Sequence, residues 1–413
     1  VSSRRPALVL LLFAAARLPL LVLRAPFFDE LFTRWIAGKS FAGIVTALRQ
    51  DSGPPFYYFV VHLLGDPSTM ATRVLSLLFA TVAIILTLQK KSVSEGASPL
   101  FFATLLLAVF PPAILFATDA RAYAMCAMFI TIAVLAIDDD RPFVAAFALV
   151  AAGYSHYYGV LFFPLLLISP ARRRQTYWSA FAVALVLFIP GFWLALHQPA
   201  EAREWMTTAW PDALFVRPPV TLAIIGAVVV LLSLRVNRYM VMVLVPLLLA
   251  MALRVYVPMR FEAVIATPLV LWIATSLQTN RFRLPLMTAM ICIAAIWTTL
   301  GIIDHAGRPP DSYRQAARWI AGNVPANETV VASGYCYLET LMNGGRHAVT
   351  AFPPEQAEHP GWRALPRPGV AAPAGAFYWI GERRAPELLI LARQHRIIEP
   401  LFVNDRAMVA LVR

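Results

Sequence analysis

The run ALVLLLFAAARLPLLVLRAPFFDE, residues 7–30, decides how the rest of the chain is read. Its apolar part, 7–26, shows no period-two alternation, carries only Arg17 as a charge before Arg24, and stops at two aromatic residues and two adjacent acids. A helix of that length covers about 30 Å, the thickness of bilayer hydrocarbon. Lipid tolerates only structures that satisfy their own backbone hydrogen bonds, so such a run is a spanning helix. Comparable segments follow at 68–88, 99–117, 121–137, 142–153, 157–169, 177–196, 218–234, 239–253, 261–277 and 284–303. Residues 1–303 therefore read as a bundle of about eleven spans, with a long outer loop at 27–67.

Bulk composition agrees. The 413 residues are 59% hydrophobic and 14% charged, with a mean hydropathy of +0.66. A soluble domain is about a quarter charged, and a membrane barrel would alternate along each strand. The net charge of +12 reads as the Lys and Arg excess of cytoplasmic loops, not as a nucleic-acid surface. Cys126, Cys292 and Cys336 show neither metal-ligand spacing nor a disulfide framework. Arg4 and Arg5 suggest an export signal. Cleavage there would leave the later spans unexplained, and no small-residue site follows, so they read as the anchor of the first span.

Charge sets the orientation. Lys90, Lys91, Arg172–Arg174, Arg235, Arg238, Arg281 and Arg283 fall in alternate loops with Arg4 and Arg5, which marks those loops as cytoplasmic. The opposite loops carry Asp29, Glu30, Asp119, Glu201, Glu204 and Asp212. Asp138–Asp139–Asp140–Arg141 is an acidic exception on the cytoplasmic side. Segment 142–169 is too short for two ordinary spans, yet parity asks for two short helices meeting at Tyr154–Gly159. Short helices shield lipid poorly unless they border a cavity.

Residues 304–413 change character. Asp311–Asn323 has helical spacing of Tyr313, Ala316, Ala317 and Ile320, and Glu387–His395 reads as a second helix. Val330–Ser333, Ala348–Phe352, Phe377–Gly381, Ile397–Val403 and Met408–Val412 read as short strands. Gly344-Gly345 and 353–373 are loops. The result is a small soluble α/β domain on the side of Asp29.

Five constellations could carry chemistry. Phe27-Phe28-Asp29-Glu30 places two acids among aromatics, ahead of an interfacial amphipathic stretch, Leu31–Ala47. Partial desolvation there would keep one carboxylate basic, as a general base requires, although loop acids at a membrane surface are also ordinary. Asp51-Ser52-Gly53-Pro54-Pro55-Phe56-Tyr57-Tyr58, with His62 beyond it, fits an aromatic belt with a structural histidine. In Thr118-Asp119-Ala120-Arg121-Ala122-Tyr123, Thr118 is expected as a helix N-cap and Asp119 in the first turn. Arg121 is then a cation at the wrong end of a helix, which suggests an anionic ligand such as phosphate. The alternative is that it ties two helices by pairing with Asp119 or Glu262. The Tyr154–Tyr158 cluster and Met259-Arg260-Phe261-Glu262 complete the set. Arg17 costs about 2.5–3.5 kcal/mol near mid-membrane and is expected to face an Asp or a lipid head group. Neither a glycine-rich nucleotide loop nor a Walker motif occurs.

In this order the residues form a pattern. Arg17-Leu18, Asp29-Glu30, Asp51–Pro55 with Tyr57-Tyr58, Arg73 with Ser76, Asp119–Tyr123, Tyr154–Tyr157, Pro190-Gly191 and Arg260-Phe261 resemble the bacterial membrane glycosyltransferases of the GT-C fold. The likeness is to the group of protein O-mannosyltransferases, lipid A aminoarabinose transferases and lipopolysaccharide galacturonic-acid transferases, and it spans about 7–280. It implies a polytopic GT-C catalytic module in the bacterial inner membrane, with active site and C-terminal domain on the periplasmic side. It also implies an inverting transfer of a sugar from a polyprenyl-phosphate donor to lipid A, a glycan or a protein. Asp29 would be the base, Glu30 its neighbour, and Asp119 a further catalytic acid. Arg121 and Arg260 would hold the lipid phosphate, with Tyr57, Tyr123 and His156 on the donor side. Two departures stand out: Gly53 where the group often has His or Lys, leaving a phosphate or divalent-cation contact open, and Asp119 where it often has Glu. Other classes compatible with the residues are a lipid or glycan transporter, with Asp29 as a coupling acid, and a glycan polymerase or ligase.

Overall fold

The computed structural model describes residues 4–65, 68–90, 99–168, 174–200, 236–278, 283–307, 311–357 and 371–413. The expected span 218–234 lies outside them, as do Lys91, Arg172, Arg173, Glu201, Glu204, Asp212, Arg235 and Arg281; every other expected span is helical where it is described. Helices α1 (Arg4–Leu23), α2 (Phe28–Ala37), α3 (Phe41–Leu48), α4 (Phe56–His62), α5 (Thr69–Gln89), α6 (Pro99–Val109), α7 (Pro111–Ala117), α8 (Tyr123–Asp138) and α9 (Pro142–Ser155) lead the chain. Among the described residues three helices are long and apolar enough to cross a membrane, Pro6–Leu23, Thr69–Gln89 and Leu284–Asp304. The number rises to five if the bent pairs α6–α7 (59°) and Arg174–Leu187 with Ile189–His197 (46°) are each one span.

The segment 142–169 is two short helices. α9 ends at His156, whose extended backbone (φ −154°, ψ 136°) starts a 3-10 helix, Tyr157–Leu167. Gly159 permits the join: a Cβ there would lie 2.4 Å from the backbone of Ala152 and Gly153. The acidic exception also has a local cause. Asp138 is held by Lys90 at 3.2 Å and Arg238 at 3.1 Å, and Lys90 reaches Asp139 at 3.0 Å. The acids therefore sit with the basic loops and are neutralised by them.

The chain forms two compact units, 1–24 with 40–306, and 25–39 with 307–413. The boundary falls inside the expected amphipathic stretch, which is not one helix. Gly38 closes α2, and Ser40 opens α3 by accepting the Gly43 N–H at 3.2 Å. In the first unit Val9, Phe13, Ile130, Phe162, Phe261 and Leu271 belong to one continuous core.

The second unit is built on a five-stranded sheet: β1 (Val330–Ala332), β2 (Val349–Ala351), β3 (Phe377–Glu382), β4 (Ile398–Val403) and β5 (Ala407–Val412). Their order is β2-β1-β3-β5-β4, with β1 parallel to β2 and β3, and β5 antiparallel to β3 and β4. Alternation sends Val330, Ala332 and Ile380 into a core with Ala316, Ala317 and Ile320, while Val331 and Trp379 face Leu391 on the other side. Helix Ser312–Asn323 is capped by Asp311, which accepts the Tyr313 N–H at 3.2 Å. The helix Tyr335–Asn343 goes beyond the sequence reading; its pattern is short and is broken by Thr340.

Candidate active site

The first unit's site starts from a broken span. An α-helical carbonyl is paired by the N–H four residues on, so Leu107 and Ala108 would need donors from positions 111 and 112. Both are proline and have none. Arg17, 1% exposed, supplies the missing donors, at 2.6 Å to Ala108 O and 3.5 Å to Leu107 O, with Phe13 O at 3.3 Å. Its expected partner, a carboxylate or lipid head group, is thus replaced by peptide carbonyls. The α6–α7 bend is held by a cation from α1.

Beyond the bend, α7 ends at Ala117 and α8 does not begin until Tyr123. Thr118 is accordingly a C-cap, not an N-cap: its hydroxyl donates back to Leu115 O at 2.8 Å. Asp119 lies in the intervening turn rather than in a first helical turn, is buried, and pairs with Arg24. Arg24 also donates to Leu115 O and Thr118 Oγ1, each at 3.3 Å. Arg73, 2% exposed, donates to Leu21 O at 3.2 Å and Arg24 O at 2.8 Å, holding the end of α1. Arg24 as the Asp119 partner escaped the sequence reading, because nothing local links two positions so far apart.

This turn sets Arg121 among aromatic side chains. Its guanidinium reaches the Tyr58 hydroxyl at 3.5 Å, and its carbonyl accepts from Ser76 at 3.4 Å. Tyr57, expected on the donor side, is fully buried and its hydroxyl meets Ser76 at 3.3 Å, while its neighbour Tyr58 lies at Arg121. Tyr123 lies between Phe116 and His156, at ring distances of 4.6 and 4.8 Å. Arg260 stands over the Tyr123 ring at 5.9 Å, within cation–π range. Met259, just before it, adopts φ +67°, a conformation that costs a non-glycine residue about 1–3 kcal/mol and recurs at functional sites. His156 accepts the Tyr158 N–H through Nδ1 at 3.2 Å. Tyr158 in turn donates to Val255 O at 2.9 Å. The structure thus brings Tyr123, His156 and Arg260 together from α8, the α9 junction and the 260–264 helix, with Arg121 in the turn just before Tyr123. Gln198, absent from the expected set, fixes the nearby loop by donating to Leu48 O at 2.7 Å and Gly53 O at 2.8 Å.

Asp29 and Glu30 belong to the second unit. Glu30 is buried and accepts the Phe27 N–H at 3.2 Å, which caps α2. Asp29 is half-buried in the same turn, and its carbonyl accepts from Thr33 at 3.0 Å. Of the adjacent acids, Glu30 is buried and committed to the backbone, whereas Asp29 is half-buried.

The chain overlays on ArnT from Cupriavidus metallidurans, in its apo state, with a TM-score of 0.60 over 98% of this chain and 96% of that one at 14% identity. The chain has the GT-C fold. The undecaprenyl-phosphate-bound form of the same ArnT aligns with this GT-C chain over the same shares, with a TM-score of 0.59 and 14% identity. The Archaeoglobus fulgidus oligosaccharyltransferase covers 84% of this chain and 63% of its own, at 12% identity and a TM-score of 0.45. No family model and no curated protein matches the sequence. Among the described residues of this GT-C chain, no three His, Cys, Asp or Glu side chains converge as metal ligands.

Proposed function

We propose that this protein is an inverting glycosyltransferase that moves a sugar from a polyprenyl-phosphate donor to a lipid, glycan or protein acceptor at the periplasmic face of the bacterial inner membrane. The observation that carries the reading is Arg260 standing over the Tyr123 ring of the Tyr123–His156 stack, with Arg121 in the turn that leads into Tyr123 and at the Tyr58 hydroxyl. Guanidinium groups present forked donors suited to phosphate oxygens. Aromatic surface beside them suits an amphiphilic donor. The ArnT structure that shares the fold was solved with undecaprenyl phosphate bound, which supports the same donor class here.

In this scheme the acceptor hydroxyl oxygen attacks the anomeric carbon opposite the phosphate. The carbon–oxygen bond to phosphate breaks with inversion, its electron pair staying on the phosphate oxygen. The acceptor proton passes to the Asp29 carboxylate. Arg121 and Arg260 stabilise the charge that develops on the leaving phosphate. Asp119, paired with Arg24, anchors the turn that presents Arg121.

Purified protein in lipid nanodiscs, offered a panel of undecaprenyl-phosphate sugars with lipid A and peptide acceptors, should release undecaprenyl phosphate with one combination. Vectorial movement of the lipid-linked sugar without release would instead identify a transporter. A reporter fused after Arg413 should be accessible only from the periplasm.

A further inference from the structure

We infer that the C-terminal α/β domain is the device that positions Asp29, acting through a buried Arg314–Glu339 pair that grips the backbone just before it; this rests on the proposed role of Asp29 as base. The segment 25–39 clusters with 307–413 although it is separated from it in sequence by the whole bundle. Arg314, on the helix Ser312–Asn323 and 4% exposed, donates 2.6 Å to the carbonyl of Pro26. It also reaches Glu339 Oε1 at 3.3 Å, and Asn343 donates to the other Glu339 oxygen at 2.9 Å. A buried cation needs such compensation, and removal of one member leaves the others with an unpaired buried charge, so the Pro26 carbonyl is tied to the pair.

The side chains around Asp29 complete the grip. Phe28 packs edge-on against Tyr335, with centroids 4.6 Å apart, and Tyr335 stacks on Tyr313 at 5.8 Å. Leu31, Phe32 and Ile36 are buried on the same helix, and Glu30 closes its first turn. Asp29 is therefore flanked by a clamped carbonyl on one side and by buried residues on the other, while its own side chain stays half-exposed. Burial pushes the Glu339 carboxyl up while Arg314 and Asn343 pull it back. A loss of alignment of about 1 Å costs on the order of 100-fold in rate.

The test compares Asp29→Asn, Arg314→Gln, Arg314→Lys and Phe28→Leu in three measurements. These are turnover of an undecaprenyl-phosphate sugar, affinity for undecaprenyl phosphate alone, and hydrogen exchange of the amides in 27–37. Arg314→Gln should lower kcat by roughly 10- to 100-fold, leave undecaprenyl phosphate affinity within twofold, and accelerate exchange in 27–37 but not in 40–48. Arg314→Lys should recover part of kcat. Cys336, fully buried in the same domain, must stay protected from thiol reagents to show that the domain remains folded. If Arg314→Gln exposes Cys336, Phe28→Leu is judged by the same criteria. Unchanged exchange, or altered exchange with wild-type kcat, would overturn the inference while Asp29→Asn stays inactive. Wild-type turnover by Asp29→Asn would overturn the base assignment and the inference with it.

Discussion

Arg17 in the bundle and Arg314 in the C-terminal unit are almost equally hidden, at 1% and 4% exposure, yet they are satisfied in different ways. Arg17 meets backbone carbonyls that Pro111 and Pro112 leave without donors. Arg314 meets a carboxylate, with a single carbonyl as its third member. In a helix bundle the exposed dipole ends of a broken helix are the cheapest counter-charge. In the α/β unit a buried acid from a neighbouring helix is within reach. The first arrangement shapes the fold of the bundle, whereas the second sets the position of one residue. On the functional reading, donor binding and stabilisation of the leaving phosphate then belong to the bundle, and acceptance of the acceptor's proton to the second unit.

The largest effect should come from Asp29→Asn. It should lower kcat by about 100- to 10,000-fold, the usual contribution of a general base, with donor affinity retained. A comparable loss of undecaprenyl phosphate binding would put Asp29 on the donor side and erase the division. Arg17→Leu comes next. It strands two buried carbonyls at about 1–3 kcal/mol each, so thermal unfolding of the bundle should fall markedly. Retention of the wild-type melting temperature would mean that the α6–α7 bend does not depend on this cation.

Arg121→Ala and Arg260→Ala should each weaken undecaprenyl phosphate binding by about 10- to 100-fold, as charged hydrogen bonds of about 1.5–3 kcal/mol imply. The double variant should lose less than the sum, since both would hold one phosphate. Arg121→Lys should recover only part of the affinity, because an ammonium lacks the fork. Unchanged affinity with a lower melting temperature would instead make Arg121 a helix tie through Tyr58. Glu30→Gln should be the mildest change. An amide oxygen can still accept the Phe27 N–H, so the cap should weaken by less than about 1 kcal/mol and kcat should fall by no more than a few-fold. A drop as deep as that of Asp29→Asn would make Glu30 the proton acceptor.

Several features were open to a reader of the residues alone. The break between α6 and α7 is written in Pro111-Pro112, and its consequence for Leu107 and Ala108 follows from helix geometry. That Arg17 answers it does not follow, since Arg17 lies on another helix. Thr118 and Asp119 form a valid N-cap pattern, so the local code favoured the wrong turn of chain. The burial of Asp119 against Arg24 won instead. The division at Gly38–Ser40 was readable as a Gly stop followed by a Ser cap, but hydrophobic periodicity continued through it and hid it.

Length, composition and alternation determined by themselves that this chain crosses a membrane many times and ends in a small α/β unit. Those are properties of consecutive residues, and lipid and the pleat act on consecutive residues. The sequence also named Arg121, Tyr123, His156 and Arg260, because charged and aromatic groups at span ends are conspicuous against an apolar background. Only the tertiary structure decided that Tyr123, His156 and Arg260 meet, that Arg24 takes Asp119, that Tyr58 reaches Arg121, and that the segment bearing Asp29 joins the C-terminal unit. Each of those outcomes depends on burying a polar group beside a partner distant in sequence, and the free energy of that burial is defined only once both are in place.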